Sequence, residues 1–284
     1  MQLEVNGTTL FFDVDGPGWV PEGPALVQRP TLLLLHGGPG GDHSLFKPLF
    51  QRLTDIAQVV FLDHRGNGRS AVGRPDEWTL DTWVEDIRCF CDALAIDRPV
   101  VLGMSFGGMV AMRFASRYPD RLQALVLAST FARRRDELVV EAFRRRGGDR
   151  AAEAARIFFA DPFAGAGDYI SLCLPLYEVG PKDPLAGGRQ VVRQEVALHF
   201  IAGENRTVNL LPELTNVQCP VLLLAGQQDP VVPVEMLEEI EGALTAADVE
   251  IEVFPDAGHG VYGDAPDAFI ERVRTFIQAT HGAR

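Results

Sequence analysis

The stretch that decides the fold is PVVLGMSFGGMVAMRFASRYPDRLQALVLAST, residues 99–130. Its apolar run Val100–Leu102 leads into Gly103–Gly108 (GMSFGG), and a helical pattern covers Phe106–Tyr118. A serine between glycines, where a strand gives way to a helix, fits the pattern G-x-S-x-G. Small neighbours allow the strained turn that exposes a serine hydroxyl, and the helix N-terminus directs N–H groups at developing negative charge. The sequence therefore predicts that Ser105 is a nucleophile, the alternative being an ordinary tight turn.

Short apolar runs alternate with helical patterns along most of the chain. The predicted strands are a hairpin turning at Asn6-Gly7, then Thr31–Leu35, Gln58–Leu62, Val100–Leu102, Ala124–Ala128, Val221–Ala225 and Glu250–Phe254. The predicted helices are Ser44–Leu53, Thr79–Ala95, Phe106–Tyr118, Val234–Ala243 and Pro266–Thr280. The Gly- and Pro-rich residues 15–30 are predicted to form a loop. Wholly apolar strands that alternate with helices predict an α/β fold with a mostly parallel central sheet flanked by helices.

The alternation stops between Phe131 and Glu213, where the pattern is helical. The predicted pieces are Asp136–Arg146, Arg150–Phe159 and Gln190–Ile201. An insertion of this kind, after the sixth strand, predicts a helical cap over one edge of the sheet. We therefore expect a core domain of residues 1–130 and 214–284 and a cap of residues 131–213.

Many of the cap residues are apolar. They either pack within the cap or line a pocket for a small or medium hydrophobic acyl group. The residues are Phe143, Phe158, Phe159, Phe163, Tyr169, Leu172, Leu174, Leu176 and Tyr177. Two arginine triplets, 133–135 and 144–146, are expected to be solvated helix faces paired with neighbouring acids.

Composition narrows the class of partner. The chain has 284 residues, 46% of them hydrophobic, and its formal net charge of −13 argues against nucleic acid or an anionic membrane as a partner. Its N-terminus lacks a basic region followed by an apolar core, and no apolar run approaches the roughly 20 residues of a membrane helix. Four cysteines show no metal-ligand spacing, so we expect reduced structural thiols, no metal site and a cytoplasmic location.

A base and an orienting acid for Ser105 are found after the late strands. In a G-x-S-x-G architecture the chain order is serine, then acid, then histidine. Asp229 follows Val221–Ala225 and His259 follows Glu250–Phe254, so both should reach the sheet edge that carries the serine. His199, His281 and Asp256 are weaker alternatives, while His43 and His64 are equally compatible with substrate contact and with packing.

The segment His36–Gly40 (HGGPG) directly follows the strand Thr31–Leu35. A second backbone donor for an oxyanion is expected there. We predict an oxyanion hole formed by the N–H groups of Phe106 and Gly38, with Gly37 as a near alternative. Such chemistry calls for neither a metal nor an organic cofactor.

Taken together, these motifs resemble the α/β-hydrolase fold superfamily. HGGPG at 36–40, DHRGNGRS at 63–70, GMSFGG at 103–108, GQQDPVVP around Asp229 and GHG at 258–260 stand in the order of that family. HGGPG with D-x-R-G-x-G-x-S is especially similar to the prolyl aminopeptidase branch. That branch usually has G-G-S-W-G around its serine, whereas Met104 and Phe106 occupy the variable positions here.

The resemblance also implies acidic side chains that bind the free amine of a peptide substrate. Glu195 and Glu204 are the candidates in this chain, and we expect Gly37, Met104 and Glu204 to contact the substrate. HGGPG also occurs in relatives that cleave esters, lactones and other amides, so the branch alone does not fix the reaction.

Three functions follow from the sequence. The first is hydrolysis of a carboxylic ester or lactone of a small-molecule substrate through an acyl-enzyme on Ser105. The second is a proline iminopeptidase-like aminopeptidase or amidase, which would use the same catalytic parts. The third is a ligand-binding, receptor-like member of the fold with little turnover. The oligomeric state is left open, with a homo-oligomer as one alternative.

Overall fold

The computed structural model describes residues 1–180 and 186–281. The strands in chain order are β1 (Gln2–Val5), β2 (Thr8–Asp15), β3 (Trp19–Glu22), β4 (Ala25–Gln28), β5 (Thr31–Leu35), β6 (Gln58–Leu62), β7 (Val100–Met104), β8 (Ala124–Ala128), β9 (Val221–Gly226) and β10 (Val249–Phe254). Eight of them form the central sheet in the order β1-β2-β6-β5-β7-β8-β9-β10, and β3 and β4 form a separate two-stranded sheet.

In the central sheet the strands from β6 to β10 pair in parallel, whereas β1 with β2 and β2 with β6 pair antiparallel. The β1–β2 hairpin turns through Asn6 and Gly7, both with positive φ (47° and 70°), as two-residue hairpin turns require. Strands β7 and β8 are buried at every position, which explains their continuous apolar sequences. The expected α/β fold with a mostly parallel sheet is therefore confirmed.

The helices in chain order are α1 (Leu80–Ala93), α2 (Phe106–Arg117), α3 (Asp136–Ala160), α4 (Pro162–Leu172), α5 (Ala186–Arg189), α6 (Gln194–Ala202), α7 (Val234–Ala243), α8 (Val261–Asp264) and α9 (Pro266–His281). Alternate residues of β5 enter two different hydrophobic clusters. Leu33 and Leu35 pack in the cluster that holds α1 and α2, whereas Leu32 and Leu34 pack in the cluster that holds α9. Both faces of the sheet are therefore covered by helices.

Between β8 and β9, every regular element of the described residues is a helix. We call α3–α6 and their connections the helical insertion. Helix α3 is kinked at Gly148, whose φ of 75° and ψ of −172° are not helical. Phe143, Phe158 and Tyr169 form a hydrophobic cluster of the insertion, and this cluster also takes in Val232 and Met236 from the α7 region.

Two local expectations were wrong. Residues 15–30 are not a plain loop, because β3 and β4 pair there around Gly23, whose φ is 60°. The expected helix over Ser44–Leu53 is two short 3₁₀ helices, His43–Phe46 and Leu49–Leu53, separated by Pro48. The two predicted helical pieces, Asp136–Arg146 and Arg150–Phe159, are confirmed as the two arms of α3, which the non-helical Gly148 separates.

Candidate active site

Ser105 lies in the turn between β7 and α2, with a φ of 52° and a ψ of −118°. Positive φ is costly for a residue with a side chain and persists only where the surroundings hold it. The Ser105 N–H donates to the Ala128 carbonyl at 2.9 Å, and the Thr130 hydroxyl donates to the Ser105 carbonyl at 2.7 Å. The end of the neighbouring strand β8 therefore fixes the turn on both sides of the serine.

The glycines around Ser105 are required by close packing. A Cβ on Gly103 would collide with the Gly107 carbonyl oxygen, and a Cβ on Gly107 would collide with the carbonyl oxygen of Leu35. A Cβ on Gly108 would lie 2.5 Å from Thr130 Cβ. The spacing of G-x-S-x-G thus allows α2 to start directly against β5 and β8.

The structure brings His259 and Asp229 to Ser105. His259 Nε2 lies 3.1 Å from Ser105 Oγ, and His259 Nδ1 lies 2.8 Å from Asp229 Oδ2. Asp229 is 4% exposed and His259 is 7% exposed, so water screens their interaction poorly. Asp229 follows β9 and His259 follows β10, and the parallel sheet delivers both loops to the edge where β7 ends.

Hydrogen bonds fix the proton on the histidine. The second oxygen of Asp229, Oδ1, accepts from the N–H groups of Val231 (2.7 Å) and Val232 (2.9 Å), which holds the carboxylate in place. A carboxylate only accepts hydrogen bonds, so His259 Nδ1 carries the hydrogen and Nε2 is free to accept the Ser105 proton. The His259 N–H in turn donates to the carbonyl of Tyr177, a residue of the helical insertion, at 2.6 Å.

The two backbone N–H groups that we expect to form an oxyanion hole belong to Phe106 and Gly38. Phe106 is the first residue of α2, and Gly38 follows β5 with a φ of 119°. Within the described residues, neither N–H donates a hydrogen bond. Gly37 lies against the serine, since a Cβ there would contact Ser105 Cβ at 3.4 Å. Both glycines and Phe106 line the same cavity as Ser105.

His36 and His64 lie under this loop rather than in the cavity. Their rings are 4.7 Å apart, and the His64 ring packs edge-on against Phe106 at 5.5 Å. Burial lowers the pKa of both imidazoles, well below the usual 6.5 for His64. His43 pairs through Nδ1 with the buried Asp63 at 2.6 Å. These histidines therefore have packing roles, and none is among the residues that line the cavity.

A cavity of about 1290 Å³ opens over Ser105, between the edge of the sheet and the helical insertion. Most of its lining is apolar, and Met104 belongs to it as expected. The apolar residues predicted in the cap divide into two groups. Those that line the cavity are Phe158, Phe159, Tyr169, Leu174 and Tyr177. Those that do not line it are Phe143, which is fully buried, Phe163, which is 67% exposed, and Leu172 and Leu176.

The structure does not place the two candidate amine-binding acids in the cavity. Glu204 accepts a hydrogen bond from the Leu80 N–H at 2.8 Å, at the start of α1, and lies 3.7 Å from Arg113. Glu195 is exposed on α6. The expectation that Glu204 contacts the substrate is therefore corrected, because its carboxylate satisfies the N-terminus of another helix.

Several cavity residues are absent from the sequence-based set. Glu178 lines the cavity beside Gly260, and Asn205 lines it after α6. No motif marks either residue, because each reaches the cavity only through the packing of the insertion. The Tyr169 and Tyr177 hydroxyls, 2.9 Å apart, add a polar pair to the lining, and the Tyr177 ring lies edge-on to His259 at 5.2 Å.

The arginines of the first triplet are paired with acids. Arg133 and Arg135 both bond Glu239, and Arg134 binds Asp136 through two nitrogens at 2.8 and 2.5 Å. Arg134 and Arg135 also line the cavity, so this triplet is not only a solvated face. In the second triplet, Arg146 bonds Gln228 at 3.0 Å and thereby ties α3 to the loop of Asp229.

Over residues 1–180 and 186–281, no cluster of three or more His, Cys, Asp or Glu side chains has the geometry to hold a metal ion. In the same part of the chain, no helix combines the length and apolar character needed to cross a bilayer.

Known proteins with this architecture differ in their reactions. "Putative carbamate hydrolase RutD" of Caulobacter sp. (strain K31) is 30% identical over 274 residues, covering 94% of this chain and 95% of that protein. The solved structure of proline iminopeptidase from Mycobacterium smegmatis matches with a TM-score of 0.76 at 22% identity, over 99% of this chain and 98% of that one. An esterase from Exiguobacterium antarcticum matches with a TM-score of 0.71 at 19% identity, over 98% of both chains. Residues 30–266 match the family model described as the alpha/beta hydrolase fold, and the chain therefore belongs to the α/β-hydrolase family.

Proposed function

We propose that this hydrolase cleaves a carboxylic ester or lactone of a small to medium, hydrophobic substrate through an acyl-enzyme on Ser105. The observation that carries the proposal is the Ser105–His259–Asp229 chain of hydrogen bonds, 3.1 and 2.8 Å long, at the base of a largely apolar cavity. A serine hydroxyl is a weak nucleophile unless a base accepts its proton, and this arrangement supplies the base.

In the first half of the reaction, Ser105 Oγ attacks the substrate carbonyl carbon while its proton passes to His259 Nε2. The carbonyl oxygen becomes an oxyanion, which the N–H groups of Gly38 and Phe106 stabilise; losing one such donor costs about 10²–10³ in rate. The tetrahedral intermediate collapses, and the leaving alkoxide takes the proton from His259. Water then attacks the acyl-enzyme with His259 as base, which releases the acid and restores Ser105.

Two of the three carboxylates that line the cavity are already paired, which argues against their binding a free amine. Among the described residues, the carboxylates that line the cavity are Asp136, Glu178 and Asp264. Asp136 is held by Arg134, and Asp264 accepts hydrogen bonds from the N–H groups at positions 179, 180 and 258. Neither is available to bind an ammonium group, which supports the ester or lactone reading.

Glu178 is the observation that favours a second candidate, an aminopeptidase. Its half-buried carboxylate lies beside Gly260, one residue from His259, and makes no ion pair within the described residues. A substrate ammonium could pair with it. Glu178→Gln removes the charge and keeps the shape, so it is the variant that separates the two reactions.

The experiment compares initial rates on p-nitrophenyl butyrate, an N-acyl homoserine lactone and proline p-nitroanilide, with Ser105→Ala as the control. Ester or lactone turnover that depends on Ser105, without anilide cleavage, supports the proposal. Efficient anilide cleavage that falls in Glu178→Gln supports the aminopeptidase. Near-wild-type rates in Ser105→Ala would refute both.

The proposal includes a division of the chain into a core (1–130 and 214–284) and a cap (131–213). Its support is that the helical insertion provides one wall of the cavity, through residues such as Phe158, Tyr169 and Phe200. We also place the reaction in the cytoplasm, in keeping with four free cysteines, Cys89, Cys91, Cys173 and Cys219.

A further inference from the structure

Asn67 is a fully buried side chain that the proposed reaction does not use. It stands at an unspecified position of the D-x-R-G-x-G-x-S pattern, within DHRGNGRS at 63–70. Its exposed fraction is 0%, and it is not among the described residues that line the cavity. Burying an amide costs free energy unless its polar atoms are hydrogen-bonded, so the partners of Asn67 indicate what it does.

The side-chain amide of Asn67 joins two loops. Its Oδ1 accepts from the Gly40 N–H at 2.5 Å, and its Nδ2 donates to the Arg65 carbonyl at 2.7 Å. A carbonyl only accepts hydrogen bonds, so the NH₂ group must face Arg65, which leaves Oδ1 for the glycine. The backbone is paired as well, since the Asn67 N–H donates to the His64 carbonyl at 2.9 Å and the Asn67 carbonyl accepts from the Ser70 N–H at 3.1 Å. Asn67 therefore presents a fixed acceptor to residue 40.

Gly40 belongs to the HGGPG loop, which also carries the proposed oxyanion donor Gly38. Gly38 and Gly40 both have positive φ, 119° and 93°. Glycine reaches such conformations readily but does not prefer them to others, so the loop depends on its contacts for its shape. The two glycines lie against each other, because a Cβ on Gly38 would be 3.1 Å from the Gly40 nitrogen. A displacement of the Gly40 N–H group therefore changes the direction of the Gly38 N–H group.

The helical insertion holds the other side of Gly40. The Gly40 carbonyl accepts from the Arg193 N–H at 2.8 Å, and a Cβ on Gly40 would lie 2.6 Å from the Arg193 carbonyl oxygen. This second anchor is made by backbone atoms. The anchor from Asn67 is made by a side chain, so a substitution can remove it.

We propose that Asn67 is a positioning residue of the oxyanion hole. By holding the Gly40 N–H, it keeps the HGGPG loop in the conformation that directs the Gly38 N–H at the oxyanion of the substrate. Without this acceptor the Gly40 N–H loses its hydrogen bond, and the loop moves to pair it elsewhere. The inference rests on the proposed function, since the oxyanion hole is part of that mechanism.

The test removes the acceptor with Asn67→Leu, which is similar in size. Asn67→Ala also lacks the acceptor and adds no bulk, so it takes the place of Asn67→Leu if that variant does not fold. Ser70→Ala is the matched control, because the buried Ser70 hydroxyl belongs to the same segment but bonds the Phe11 N–H and the Asp63 carbonyl instead of the HGGPG loop. Each variant is assayed for kcat and KM on p-nitrophenyl butyrate and for unfolding in urea.

A pair of ketones supplies a measurement that a merely structural role would not change. Ser105 Oγ adds to the carbonyl carbon of 1,1,1-trifluoroheptan-2-one, its proton passes to His259, and the carbonyl oxygen becomes an oxyanion in the oxyanion hole. Heptan-2-one has an unactivated carbonyl and binds without this adduct. Calorimetric titration gives both dissociation constants without turnover. Their ratio, the value for heptan-2-one over that for the trifluoroketone, measures how well the oxyanion is stabilised.

We expect Asn67→Leu to lower kcat by about 10- to 100-fold, because a misdirected donor forfeits part of the factor that losing a donor costs. The ketone ratio should fall by a similar factor, with KM changed by less than about threefold. Ser70→Ala should lower the free energy of unfolding and leave kcat and the ketone ratio unchanged. An unchanged ketone ratio in a folded Asn67 variant would overturn the inference, as would an equal loss of affinity for both ketones.

The ketone measurement separates failure of this inference from failure of the proposed function. A wild type that prefers the trifluoroketone but hydrolyses neither ester nor lactone would reject the proposed function, and the ratio in the Asn67 variants would still decide the role of Asn67. Ester turnover with an unchanged ratio in Asn67→Leu would keep the proposed function and reject the positioning role. A wild type without preference for the trifluoroketone has no working oxyanion hole, which would overturn both.

Discussion

Replacing Asp229 with asparagine tests the proposed mechanism at a single hydrogen atom. The amide fits the same space, and its oxygen can still accept from the N–H groups of Val231 and Val232. Its NH₂ group then faces His259 Nδ1, 2.8 Å away, and donates to it. The imidazole hydrogen moves to Nε2, where it meets the Ser105 hydroxyl and blocks proton transfer. A wrong tautomer of this kind costs about 10⁴ in kcat, or about 5.4 kcal/mol of transition-state stabilisation.

The assay is single-substrate kinetics on p-nitrophenyl butyrate at pH 7, with thermal unfolding measured on the same preparations. We expect Asp229→Asn to retain the melting temperature within a few degrees and to lose kcat rather than KM. A kcat within tenfold of the wild type, in a folded protein, would refute the role of Asp229 as the residue that orients His259. The exposed acid Asp256 provides the control, since Asp256→Asn should leave kcat unchanged.

Three further predictions concern stability, read from chemical denaturation. Gly107→Ala should destabilise the protein by about 2–3 kcal/mol, because the new Cβ would collide with the Leu35 carbonyl oxygen of β5. Gly242→Ala is the control and should stabilise the protein slightly, because a Cβ there meets open space within α7. Arg65→Met should lower the free energy of unfolding by about 3–5 kcal/mol, because it leaves the buried carboxylate of Asp86 without the guanidinium that binds both of its oxygens. The double variant Arg65→Met/Asp86→Leu should recover part of this loss, and full stability of the single variant would contradict the argument. Burial lowers the pKa of His64 in the folded protein, so below about pH 6.5 the unfolded chain binds a proton that the folded chain does not. The free energy of unfolding should therefore fall by up to about 1.4 kcal/mol for each unit by which the pH is lowered. His64→Leu should reduce this slope, and an unchanged slope would count against the argument.

Much of the sheet could be predicted because its strands carry a local signal. Thr31–Leu35, Gln58–Leu62 and Ala124–Ala128 are strands with the predicted bounds, since each is a short, largely apolar run that ends at a polar residue. Helix α4 was not predicted, because its Ala- and Gly-rich sequence (PFAGAGDYISL) has low amphipathicity and weak intrinsic preference. The β3–β4 hairpin was missed because Pro21 and Gly23 are typical of loops as well as of edge strands.

The candidate site could be predicted only where chain order and strand ends determine it. Ser105, Asp229 and His259 each follow a strand of the parallel sheet, and the edge they share is fixed by topology. The position of Glu204 could not be predicted, because its partner Leu80 is 124 residues away and neither residue carries a motif. The same holds for Asn205, whose burial depends on how α6 packs over the core.

The bond from the His259 N–H to the Tyr177 carbonyl has a consequence for exchanging parts between relatives. Tyr177 belongs to the helical insertion that lines the cavity, yet its backbone supports the loop that carries His259, the proposed general base. A chimaera that imports the insertion of another hydrolase therefore imports part of the scaffold of the catalytic histidine too. A graft that replaces Tyr177 must reproduce the carbonyl that accepts from the His259 N–H. A graft that keeps residues 177–180 should change substrate selectivity and leave the hydrogen bonds of His259 intact. In this protein the insertion and the His259 loop should therefore be exchanged together, and we expect a change of substrate and a change of turnover number to arise from the same set of junctions.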